Sequence, residues 1–139
     1  MRIVITYLLL AILAASCASP SHERVLSDSK AQRLLIGNWT EVSRPILKEN
    51  ITTLRTDGTF VSNGTLAANG RAITVKFEGR WYVQNGVLIS EVTESSAPFI
   101  ILVGRISHDT IITLAKTEYC YRDDEGKEEK WLRLQPDLD

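Results

Sequence analysis

Two cysteines and two histidines in 139 residues close off several kinds of chemistry at once. His22 lies in a polar stretch and His108 beside a turn signal, so a histidine-based triad or a zinc cluster has almost nothing to be built from. Charge of one sign is also missing. The chain carries 16 basic and 17 acidic residues, and without residues 1–16, which hold only Arg2, the balance is 15 against 17, or −2. A basic patch for nucleic acid is therefore not expected. No Gly-rich loop precedes a helix, which leaves no phosphate cradle. No apolar run reaches the ~20 residues of a membrane-spanning helix. Carboxylates do occur in pairs, Glu91 with Glu94 and Glu128 with Glu129, but their spacing puts the members on opposite faces of a strand, and solvated edges account for them. No set of side chains makes an active site, so the expectation is a protein without enzymatic activity or cofactor.

What is present begins with an address. Arg2 is followed by an apolar run of 13 residues, 3–15, and then by the small residues Ser16, Cys17, Ala18 and Ser19, the pattern of an export signal. Leu13-Ala14-Ala15-Ser16-Cys17 resembles the lipobox of bacterial lipoproteins, with Ala14 where Leu is commonest. The resemblance implies cleavage before Cys17, lipidation of its sulfur, and a chain tethered in the bacterial envelope. The expected location is the outer membrane facing the periplasm, with another envelope membrane or secretion as alternatives. Under that reading Cys120 is the only thiol left, a buried small hydrophobe. If Cys17 is not modified, the two cysteines are free to pair. Three acceptor triplets for glycosylation, starting at Asn38, Asn50 and Asn63, arise readily by chance in a Thr-rich β protein.

The organisation expected is residues 1–16 as signal, 17–26 as polar tether and 27–139 as one folded domain, which a 44% apolar chain of this length supports. Ser27, Asp28 and Ser29 supply N-cap chemistry, with Gln32 three residues after Ser29, for a short helix over 30–35 presenting Ala31, Leu34 and Leu35. From residue 35 to 134 short runs of Val, Ile, Thr and aromatics alternate with turn residues about every ten positions, the all-β pattern. Eight strands are predicted, near 35–43, 50–56, 59–67, 71–84, 87–94, 98–107, 109–119 and 127–134. Asp57-Gly58, Asn69-Gly70 and Asn85-Gly86 suit tight type I′ hairpins, and His108-Asp109 a further reversal. In the fourth strand Ile73, Val75, Phe77, Gly79, Trp81 and Val83 alternate with polar residues, which marks an interior face. With no crossover helix the strands form an antiparallel meander, and closure into an up-and-down eight-stranded barrel removes its edges.

A short helix leading into Gly37-Asn38-Trp39, the hairpin Asp57-Gly58-Thr59-Phe60, and Gly79-Arg80-Trp81 together resemble the short bacterial lipocalin-like domains, over nearly all of residues 35–134. The resemblance implies a lipocalin-like barrel with Trp39 plugging one end, Gly37 close beside it, and a late arginine packed across the indole. Arg133 is the candidate, with Arg122 second. A second lipocalin motif is absent. An eight-stranded barrel has room for side chains or one small ligand. Two roles follow. In the first, a small apolar or amphipathic ligand enters the barrel, lined by Phe60, Phe77, Trp81, Phe99, Ile101 and Tyr119. In the second the core is filled, and the outer face or loops engage an envelope protein, as an inhibitor or an assembly accessory. The run Pro98 to Val103, read as a strand, would be apolar on both faces, and Leu34 and Leu35 of the helix are its expected cover.

Overall fold

The computed structural model describes residues 26–43 and 46–135. The proposed signal, Cys17 and most of the tether lie outside the described residues. One helix, α1 (Asp28–Leu35), precedes eight strands: β1 (Gly37–Glu41), β2 (Lys48–Leu54), β3 (Thr59–Ala68), β4 (Arg71–Gln84), β5 (Val87–Ser95), β6 (Ile106–Leu114), β7 (Glu118–Arg122) and β8 (Glu128–Arg133). Each strand pairs antiparallel with the next, and β8 returns to β1 through Trp39 opposite Arg133 and Glu41 opposite Trp131. The result is a closed up-and-down barrel, as the turn spacing predicts.

The interior face follows the period of two. On β4 the side chains of Val75, Trp81 and Val83 are buried and Phe77 is partly so, while Lys76, Arg80 and Tyr82 face water. Ile73 departs from the expectation, because it sits near the β3–β4 hairpin, beyond the core, and is exposed. Gly79 is required by close approach: a Cβ there would lie 1.8 Å from the Glu91 carbonyl oxygen, beside the register shift between β4 and β5.

Two hairpins are of the expected type, with positive φ at both central residues, Asn69-Gly70 and Asn85-Gly86. Asp57-Gly58 is not, since only Gly58 has positive φ. The turn there is longer, and Asp57 accepts from the Thr59 backbone N–H at 2.9 Å and its hydroxyl at 2.6 Å. The largest departure is in the sixth and seventh strands. Residues 98–104 form turns rather than a strand, with the Ile100 and Ile101 amides both bonded to the Ala97 carbonyl, and His108-Asp109 lies inside β6 instead of reversing the chain. Pro98 lacks the donor a central strand needs, and local turn bonds satisfy the backbone of the run instead.

α1 lies at the opposite end from that run. Its first turn has no side-chain cap, and Gln32 closes no capping box. Gln32 instead accepts from the Val83 amide, and the Asp28 carboxylate accepts from the amides of Asn85 and Gly86 at 2.7 and 2.9 Å. These bonds pin the helix across the β4–β5 end, where Ala31 and Leu35 are buried on the core and Leu34 is partly so. The helix therefore does not cover Pro98 to Val103.

Candidate functional site

Consecutive hairpins of a meander alternate between the two ends of a barrel, so the β1–β2, β3–β4, β5–β6 and β7–β8 connections share the end away from α1. The α1 end is closed by Trp39, which has no exposed surface. Its indole N–H donates to the Leu35 carbonyl at 2.7 Å, and the Arg133 guanidinium lies 4.2 Å from its ring centroid on one side. Tyr119 meets the ring edge-on at 4.8 Å. Arg133 also donates to the carbonyls of Leu34, Ile36 and Lys116, so one side chain caps the last turn of α1 and ties it to the β6–β7 connection. A Cβ at Gly37 would lie 2.2 Å from Arg133 Nη1, and the backbone there has φ +138°. Trp39, Gly37 and Arg133 thus stand together as expected. Arg122 is instead paired with Glu128 on the surface at 3.0 Å.

Above this plug is a cavity of about 220 Å³. Its mouth is formed by Ile46 and Leu47 from the β1–β2 connection and Ile101 and Arg105 from the β5–β6 connection. Its two halves differ in character. Leu54, Phe60, Phe77, Trp81, Leu88 and Val92, from β2 to β5, make an apolar wall, with Phe60 and Phe77 packed edge-to-face at 6.0 Å. Glu41, Ser107, Asp109, Tyr119, Tyr121 and Trp131, from β1 and β6 to β8, make a polar and aromatic wall. Thr52, Ser62 and Ser90 also face inward, and it is these short side chains that leave the interior unfilled. Thr52 and Ser62 satisfy each other at 2.6 Å. Asn50 is fully engaged: it accepts from the Glu41 amide at 2.8 Å and donates to the Leu47 carbonyl at 3.0 Å. That fixes Leu47 over the mouth and buries Asn50, the acceptor side chain of the middle glycosylation triplet.

Five of the residues expected to line the barrel do so: Phe60, Phe77, Trp81, Ile101 and Tyr119. Phe99 does not. It is 80% exposed on the β5–β6 connection because residues 98–104 turn outward, while Ile101 of the same run points in. Trp81 is held by its indole N–H, which donates to the carbonyls of Thr59 and Arg55 at 3.0 and 3.2 Å.

Reading His108-Asp109 as a turn hid Asp109 from the sequence. The signal was available in Ser107, Asp109 and Ile111, which alternate inward on β6. The Asp109 carboxyl is pushed up to about 7, chiefly by burial, then by Asp124 and Asp123, against the pull of Arg105, with Glu129 adding to the rise. Burial holds the Tyr119 and Tyr121 hydroxyls protonated far above the usual phenol range. The Trp131 indole N–H is buried against the Tyr121 hydroxyl without reaching hydrogen-bond geometry. Glu129 overturns the solvated-edge reading for its pair, being buried on β8 with the Ser43 hydroxyl donating to it at 2.6 Å. Cys120 is buried on β7 as expected, but it is disulfide-bonded rather than a lone thiol. Among the described residues no group of three or more His, Cys, Asp or Glu is arranged to hold a metal ion. No protein-family model matches the chain, and no curated protein matches it.

Proposed function

We propose that this chain is an exported, non-enzymatic, lipocalin-like barrel that binds a small apolar or amphipathic ligand in its interior. The observation that carries the reading is the cavity itself, apolar on one wall, hydrogen-bonding on the other, and opening at the end away from the Trp39 plug. Its volume lies below the ~300–1,000 Å³ usual for drug-sized ligands, so the occupant is small. Tryptophan emission of the full chain during titration with short-chain amphiphiles tests this, with Trp81→Phe as control. A saturable change that is lost in the control is expected. A folded protein that responds to none of them would end the ligand reading.

A protein partner is the second reading, favoured by the exposed Phe99, Leu102 and Val103 on the β5–β6 connection, which give the mouth an apolar rim.

The address forms part of the proposal: cleavage before Cys17 and a lipid thioether on its sulfur hold the barrel in the bacterial envelope. Cys120 supplies the rival. Its disulfide, in a chain with two cysteines, favours an exported protein without the anchor, because a sulfur bound in a disulfide carries no thioether. Intact mass of the purified mature protein separates the two. A diacylglyceryl adduct with an alkylatable Cys120 supports the anchor, and an unlipidated chain that resists alkylation until reduced supports the secreted form.

A further inference from the structure

The cavity has a sign. Asp109 on β6 and Glu41 on β1 both line it, and Arg105 at the mouth is the one cation among its described lining residues. Buried Glu129 stands beside them on β8, and Asp123 and Asp124 add negative potential at Asp109 from the β7–β8 connection. The Glu129 carboxylate already accepts from Ser43. No hydrogen bond among the described residues engages the Asp109 side chain.

We propose that the cavity selects a small amphiphile with a protonated amine as its head, accepted by the Asp109 carboxylate, its apolar tail lying along the wall formed by Phe60, Phe77 and Trp81. The inference rests on the ligand-binding reading above and gives that ligand a chemical class. An ammonium group offers three donors and no acceptor, which complements a carboxylate that has no donor of its own. A carboxylate head would bring like charge against Asp109 and Glu41. Arg105 does not reverse this, because it is exposed and its charge is spent largely in water. A neutral head such as an alcohol gains a hydrogen bond without the charge.

Burial disfavours the ionised form of Asp109, and a bound cation favours it, so amine binding draws the proton off. Amine affinity should therefore rise with pH through about 7 and level off above it. The charged groups that set this midpoint are Asp124, Asp123, Arg105 and Glu129, and Glu41 faces the same cavity from β1.

The test compares octylamine, octanol and octanoate, equal in chain length, by calorimetric titration of the full chain at pH 8. The amine should bind about tenfold or more tighter than the alcohol, with the carboxylate weakest. Asp109→Asn should abolish the amine's advantage over the alcohol, read as the ratio of the two affinities within the same variant. In the unsubstituted protein, amine affinity should fall as pH drops from 8 to 6 while alcohol affinity stays level, a readout that does not depend on the variant. Equal binding of all three probes, or an amine preference that survives Asp109→Asn, would overturn the selectivity and leave the ligand cavity standing. Failure of all three to bind would remove the cavity reading and this inference with it.

Discussion

The two ends of the barrel are built on opposite principles. At the α1 end every large group is locked by more than one partner: Trp39 by Leu35, Arg133 and Tyr119, and α1 by Asp28, Gln32 and Arg133. At the other end the longest connections meet, Phe99, Leu102 and Val103 face water, and the polar braces are single side chains of each connection or its neighbour, Asn50, Ser43 and Asp123. Locking contacts are concentrated where the chain closes, and the far end leaves an apolar rim in water.

The sharpest way to break this contrast is to remove the plug. Trp39→Ala deletes a fully buried indole and leaves a void that Arg133 and Tyr119 cannot both close, and the loss expected is roughly 3–5 kcal/mol. Urea denaturation followed by far-ultraviolet circular dichroism measures it. A loss below ~1 kcal/mol would mean that the helix end is not the anchor of the fold.

The polar wall lies between the two extremes, and its cost depends on pH. The Asp109 carboxyl titrates in the folded state near 7 against an ordinary value of 3.8. The folded state thus binds the extra proton between those values, and this group's contribution is fully favourable below about pH 4 and is lost as pH rises through about 7. Asp109→Asn removes that loss. The variant should be more stable than the unsubstituted protein at pH 8, on the order of 2–4 kcal/mol, with the gap closing toward pH 4. Denaturation midpoints of both proteins at pH 4, 6 and 8 check the sign, and a gap that does not change with pH would show that Asp109 is solvated in the fold.

The same contrast separates what the sequence made legible from what it did not. The closed end could be read because its geometry is carried by side chains with few alternatives: a glycine where a Cβ would strike Arg133, an aromatic with a strict inward register, and the Asn85-Gly86 pair, which needs positive φ at both positions. The count of eight strands and the closure follow from the same signals. The open end could not be read, because the apolar run Pro98 to Val103 has the composition of a strand. Only tertiary context decides that its backbone is satisfied by local turns. That misplacement hid the polar wall: once 98–107 is taken as a strand, Asp109 falls into a turn, and the inward alternation of Ser107, Asp109 and Ile111 disappears. The partial filling of the core was undetermined for a related reason, since whether short inward residues such as Ser62 and Ser90 leave a void depends on how closely the aromatics across from them approach.

The smallest expected effect on stability sharpens the comparison most. Phe99→Ser removes a side chain as large as several in the core, yet this ring is already in water and packs on nothing that depends on it. Its removal should change stability by no more than ~0.5 kcal/mol, against the several lost at Trp39. Thermal melting of the two variants side by side makes that comparison. A loss above ~1 kcal/mol for Phe99→Ser would place the 97–105 connection within the cooperative core, and the mouth would then be as fixed as the plug. With stability unchanged, any effect of Phe99→Ser on ligand uptake or on partner binding is an effect of the rim itself. This makes it the variant that separates a role in access from a role in folding.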